Sequence, residues 1–123
     1  MANKETNNDQ LISHIIKGIE EVKGNNIEIL DLRKIENTVC DYFIICTGTS
    51  NTQVNAIVSS IQKIVSKSLK DKPWHVEGSE NAEWVLMDYV TVVVHIFQKH
   101  IREYYDIEGL WGDAITTSID TNY

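Results

Sequence analysis

Four histidines, two cysteines and one Gly-Thr-Ser turn are the residues of this chain with chemical potential. The histidines are His14, His75, His95 and His100. None has a Glu or His partner at metal-ligand spacing, and neither H-E-x-x-H nor C-x-x-C occurs. No metal or cofactor is therefore expected. Cys40 and Cys46 fall on one strand-like run, where six residues span about 20 Å, far beyond disulfide reach. Unpaired, buried thiols suit a reducing cytosol. The segment CTGTS, residues 46–50, ends a strand-like run and opens a helix. Free N–H groups and the positive end of a helix dipole at such a junction favour an anion. Nucleotidyl transfer at a turn of this kind also needs a D-x-D pair on a following strand, to hold magnesium ions. No D-x-D occurs, and the nearest match, Asp106-x-Glu108, lies far downstream and outside any strand. Capping alone explains the turn, because Ser50 followed by Gln53 forms a capping box. Ser50 is followed by no base in a Ser/His/Asp context. An enzyme using the Gly48–Ser50 turn stands as the alternative to a binding protein.

His95 interrupts the apolar run VVVHIF, where the plain expectation is a buried, hydrogen-bonded histidine. A hairpin joining EWVLMDY to this run would bring Trp84, Asp88 and His95 onto one sheet face, since strand side chains alternate. With a two-residue turn after Asp88, Trp84 lies opposite His95. Tyr89-Val90 is poor chemistry for that turn, and a three-residue loop would move His95 to the other register. The closing stretch REYYDIEGLWGDA, residues 102–114, sets five large apolar residues among carboxylates. Tyr104, Ile107 and Trp111 are spaced as one helical side and could form a lid. One side of a short helix cannot bury Tyr105 and Leu110 as well. Gly109 and Gly112 weaken the helix around Leu110-Trp111, so that pair is expected to project. Tyr, Trp and Arg are enriched where proteins grip one another, which favours a protein-binding surface over a simple lid.

These residues need a scaffold to place them. Leu11, Ile12, Ile15, Ile16, Ile19 and Val22 mark one helical face, with Asp9 as N-cap and Gly24 beyond the end. Residues 27–32 and 40–48 read as strands, the second apolar on both faces and therefore central in a sheet. Val54, Ile57, Val58, Ile61, Ile64, Val65 and Leu69 form the clearest helical stripe. A short extended piece follows Pro73, then the two strands of the hairpin, then the helical closing stretch. The order α, β, β, α, β, β, β, α predicts an α/β fold with a single mixed β-sheet packed with helices. Residues 9–114 form the domain, with a loose start over 1–8 and a mobile tail over 115–123.

The chain has 123 residues, 42% apolar and 24% charged, which fits one soluble globular domain. A formal charge of −7 repels phosphate, so direct binding of free nucleic acid is not expected; basic partners are attracted instead. The polar start has no signal-peptide core, and no apolar run approaches a membrane span, which points to a cytoplasmic protein.

The blocks CDYFIICTGTSNTQVNAI, EGSENAEWVLMDY, VVVHIF and REYYDIEGLW, in this order, resemble the Iojap-like ribosomal silencing factors (RsfS). The resemblance covers roughly residues 9 to 114. It implies a nucleotidyltransferase-like fold without the catalytic carboxylates, and no enzymatic activity. It also implies binding to the large ribosomal subunit through its fourteenth protein, and steric block of small-subunit joining that represses translation. A homodimer is a further implied possibility. By motif position the binding face would be carried by Trp84, Asp88, His95, Arg102, Tyr105, Leu110 and Trp111. Three positions depart from the family pattern: Val90 replaces the usual turn glycine, Thr52 a frequent arginine, and Gly109 a basic residue before Leu-Trp.

Overall fold

A computed structural model of the chain describes residues 7–123. Most of the loose start expected over residues 1–8 thus lies outside the described residues. The elements are α1 (Asn8–Glu21), β1 (Asn25–Asp31), β2 (Tyr42–Gly48), α2 (Asn51–Leu69), β3 (His75–Glu77), β4 (Trp84–Asp88), β5 (Val92–Gln98), α3 (Lys99–Tyr105), α4 (Ile107–Leu110) and β6 (Ile115–Ile119). The N-cap of α1 is Asn7 rather than Asp9: its side-chain oxygen accepts from the N–H groups of Asp9 and Gln10. Asp9 sits in the first turn, where a carboxylate faces the positive end of the helix.

The six strands form one mixed sheet in the order β3-β4-β5-β2-β1-β6. Only β2 and β5 pair in parallel. All seven residues of β2 are buried, as its two-faced apolar pattern requires of an interior strand. One sheet face is covered by α1 and α2. Leu11, Ile15 and Ile19 of α1 and Val54, Ile57, Ile61 and Val65 of α2 meet Ile44, Cys46, Val85, Met87, Val94 and Ile96 of the sheet. The helices approach closely because Gly18 has no side chain: a Cβ there would stand 2.8 Å from the Cα of Ile61. Ser60 Oγ donates to the Gly18 carbonyl at 2.7 Å across the same contact.

The opposite face carries a second, smaller core. Leu30, Leu32, Phe43, Ile45, Val93 and Phe97 are buried there under the short α3 and α4, with Ile107 inserted from α4.

Two expectations need correction. Residues 115–119, expected in a mobile tail, form β6, which pairs antiparallel with β1 from Ile27↔Ile119 to Asp31↔Ile115. Its first four side chains are exposed, so the strand is held by ladder hydrogen bonds and carries no apolar period. The Tyr123 hydroxyl donates to the Gly24 carbonyl and pins the end of the chain. The hairpin register also differs from the two-residue turn placed directly after Asp88. Trp84 pairs with Phe97, Leu86 with His95 and Asp88 with Val93. The tip is a tight turn at Val90, where φ is 77° and Thr91 N–H donates to the Tyr89 carbonyl at 3.0 Å. The shift is by two residues, so facing is unchanged.

Replacing Gly18 by Ala forces a methyl against backbone and should destabilise the fold by about 2 kcal/mol, as overpacking does. Urea denaturation of Gly18→Ala against the parent checks this, with an unchanged midpoint counting against the close contact.

Candidate functional site

Residues directly opposite in an antiparallel pair share a face. Trp84, Leu86 and Asp88 of β4 therefore stand on the same side of the sheet as Val93, His95 and Phe97 of β5, the side away from α1 and α2. Trp84 and His95 are diagonal neighbours, and the indole Nε1–H donates to His95 Nδ1 at 3.1 Å. An indole nitrogen can only donate, so Nδ1 accepts and the imidazole proton resides on Nε2. Nε2 is buried with no partner among the described residues. Phe43 meets the ring edge-on at 4.6 Å and Phe97 stacks at 6.1 Å. Burial in this setting lowers the His95 pKa to about 4, so the ring is neutral. At 5% exposure His95 cannot itself grip a partner; it holds Trp84 in place.

A row of rings extends from this pair in both directions. Trp84 lies 5.0 Å from Tyr105, which meets Tyr104 edge-on at 5.0 Å. In the other direction Phe43 meets Trp111 edge-on at 5.7 Å. The closing stretch delivers Tyr105 and Trp111 because α3 and α4 are separate helices. Asp106 between them takes the left-handed conformation, with φ of 47°, and its side chain accepts from Gly109 N–H at 3.3 Å. A side chain at position 109 would require that carboxylate to shift. The break also defeats the expected Tyr104–Ile107–Trp111 stripe: Ile107 is buried, while Tyr104 is 80% exposed. Leu110 projects as expected, at 77% exposure, and Tyr105 is half-exposed. Trp111 does not project freely; it is partly buried against the second core.

Arg102 differs from its expected role of meeting a partner. Its side chain is only 11% exposed. Nε donates to Glu108 Oε2 at 2.8 Å, and Nη1 to the Asn26 carbonyl at 2.7 Å and Thr47 Oγ1 at 2.8 Å. It fastens α3 and α4 to β1 and β2. Asp88 is on the predicted face but four residues along β4 from Trp84, about 13 Å away at strand rise. Its Oδ1 accepts from Val90 N–H at 2.7 Å. The structure thus gathers Trp84, His95, Tyr105 and Trp111, with Leu110 beside them, and leaves Arg102 and Asp88 outside the row. Phe43 and Tyr104 belong to the row and were missed. The alternation of Phe43 and Ile45 on β2 could have placed Phe43.

The Gly48–Ser50 turn is spent on structure. Ser50 Oγ accepts from Gln53 N–H at 3.1 Å. The Gln53 amide oxygen accepts from Thr49 N–H at 2.6 Å, and its nitrogen donates to the Val22 and Lys23 carbonyls, both at 3.1 Å. Burial raises the Cys46 thiol pKa to about 12 and the Cys40 thiol to about 11, so neither is a thiolate near neutrality. Among the described residues no cluster of His, Cys, Asp and Glu is placed to hold a metal, and no helix is long and apolar enough to cross a membrane.

The family described as "ribosomal silencing factor during starvation" matches residues 4–122. The chain belongs to the ribosomal silencing factor family. It is 36% identical to ribosomal silencing factor RsfS of Halalkalibacterium halodurans, over 92% of this chain and 95% of that protein. A crystal structure of a Chromobacterium violaceum protein, 37% identical, superposes with a TM-score of 0.81 over 87% of this chain and 88% of that one. A mouse protein named mitochondrial assembly of ribosomal large subunit protein 1 is 33% identical over 73 residues, 58% of this chain and 32% of that protein. The ribosomal silencing factors are regulators rather than enzymes. Their fold here is the single mixed sheet with helices expected from the sequence.

The buried histidine of this silencing factor makes its stability depend on pH. An unfolded histidine titrates near 6.5 and the folded one near 4, so the unfolded chain binds the extra proton between those values. Stability is full above about 6.5 and falls as pH drops toward 4, by roughly 3 kcal/mol in total. Urea midpoints at pH 7 and pH 4.5 should differ less for His95→Gln than for the parent, and an equal difference would refute the assignment.

Proposed function

We propose that this silencing factor binds the large ribosomal subunit through its fourteenth protein and, by occupying that place, blocks joining of the small subunit and so represses translation. The observation that carries the reading is the open aromatic row: one sheet face lies under two long helices, while the other exposes Tyr104, Tyr105 and Leu110 beside Trp84. Large aromatic and aliphatic side chains exposed around a rigid centre are what a protein interface uses as anchors. The name of the mouse relative assigns that protein to assembly of the large ribosomal subunit, which supports the same subunit as partner here.

The mechanism needs no bond to form or break. The excess of 18 acidic over 11 basic residues draws the chain toward a basic ribosomal surface. Trp84, Tyr105 and Leu110 then meet the partner. His95, Phe43 and Trp111 hold these anchors from beneath, and Arg102 holds the helices that carry two of them. A rigid platform limits the entropy lost on docking. Volume at the occupied site then excludes the small subunit. The setting is the cytoplasm, where ribosomal subunits meet. The same face is open to a second copy of the chain, so a homodimer would hide it and compete with the ribosome.

Leu110→Ala should weaken co-sedimentation with isolated large subunits about tenfold, the loss of a typical interface anchor, with an unchanged urea midpoint. Trp111→Ala should instead lower the midpoint as well, because it opens a cavity beside Phe43. Undiminished binding by Leu110→Ala would remove the aromatic face from the interface.

A further inference from the structure

Beyond the aromatic row, the same sheet face ends in a second exposed group. Val39 is 88% exposed, Trp74 81% and Val90 59%, and with Asp88 and Val93 they line a cavity of about 410 Å³. These residues come from five segments: the loops before β2 and β3, the end of β4, the β4–β5 turn and the start of β5. None of the three exposed ones belongs to the aromatic row. Asp88 is the one charged residue in the lining.

We infer that this cavity is a receptor for a single basic side chain, a lysine or arginine of the docked ribosomal protein; the inference rests on the reading that this face meets the large subunit. Each wall fits that ligand. The valines suit the methylene stem of a long basic side chain. The indole of Trp74 offers a π face to a cation. The Asp88 carboxylate offers the opposite charge and an acceptor for a charge-assisted hydrogen bond. An acidic side chain would face Asp88 in repulsion, and a purely apolar one would desolvate the carboxylate without supplying a counter-charge. A second copy of this chain is a poorer occupant, since it carries 18 acidic against 11 basic residues.

The hairpin supports the same reading. Val90 is held at φ 77°, a strained conformation for a β-branched residue, and its N–H donates to Asp88 Oδ1 at 2.7 Å. That bond fixes the carboxylate in the cavity wall, and the turn keeps the Val90 side chain at the rim. The main chain at Trp74 is anchored beside Asp88, its N–H donating to the Asp88 carbonyl at 2.6 Å. The Trp74 backbone and the Asp88 carboxylate are thus tied to one residue pair. The strain is maintained where it shapes the cavity.

The test uses the full chain with Asp88→Asn, Trp74→Ala and the double variant. Asparagine keeps an oxygen for Val90 N–H and removes only the charge. Each single variant should reduce affinity for isolated large subunits about tenfold, and the double variant by less than the product of the two, because both act on one cation. Asp88→Asn should also flatten the dependence of binding on salt. Parent-like affinity in both single variants, with urea midpoints unchanged, would overturn the inference. If the parent chain does not sediment with large subunits, the proposed function fails, and the cavity is then judged by a direct probe. The Trp74 indole N–H resonance, assigned by its loss in Trp74→Phe, is followed as acetyl-Gly-Arg-Gly-amide or acetyl-Gly-Glu-Gly-amide is added. A shift with the arginine peptide alone, absent in Asp88→Asn, supports the receptor. No shift, or the same shift with both peptides, refutes it.

Discussion

The structure turns on a strand that must be buried from both sides. Every residue of β2 is apolar or inaccessible, so the sheet needs cover on two faces. Among the described residues two helices are long, and Gly18 lets them pack closely side by side on one face. The second face is therefore left to short elements and to side chains large enough to cover it. Phe43 and Phe97 fill that role from within, and the outer edges of Trp84 and Trp111, with Tyr105 and Leu110, become the surface. The cover of the second core and the candidate binding face are thus one set of residues.

That economy explains why several residues serve from below. His95 is neutral, and its accepting nitrogen orients Trp84 from within the sheet. Arg102 spends its donors on Glu108, Asn26 and Thr47, so α3 and α4 stay in register with β1 and β2. A charge so engaged is costly to disturb, because each of its partners would be left unpaired. The face is consequently rigid where it is buried and open where it is exposed, which suits an interface that works by shape.

The two ends of this face differ in chemistry. Around Tyr105 and Leu110 it is aromatic and aliphatic. Around Asp88 it combines a carboxylate, an indole and three valines. A partner spanning both would present an apolar patch at one end and a basic side chain at the other. Such a two-part match fixes orientation, because neither half can satisfy the other's partner.

The sequence by itself determined the element order through α3, the interior place of β2 and the stripes of α1 and α2, and it offered the shared face of Trp84, Asp88 and His95 as one of two registers. Those features follow from side-chain period, which is local and survives a hairpin slip of two residues. It determined family membership too, through four blocks in order. Tertiary structure alone decided the rest. β6 is held by backbone pairing with β1 and has exposed side chains, so no apolar pattern announces it. The left-handed Asp106 splits the closing helix and separates Tyr104 from Ile107, although their spacing reads as one side. Arg102 is expected on the binding face from motif position, yet its partners Asn26 and Thr47 are distant in the chain. For β6 and Arg102 the deciding contact joins residues far apart in sequence, about which local spacing carries no information; the Asp106 break is a backbone conformation that side-chain spacing does not record.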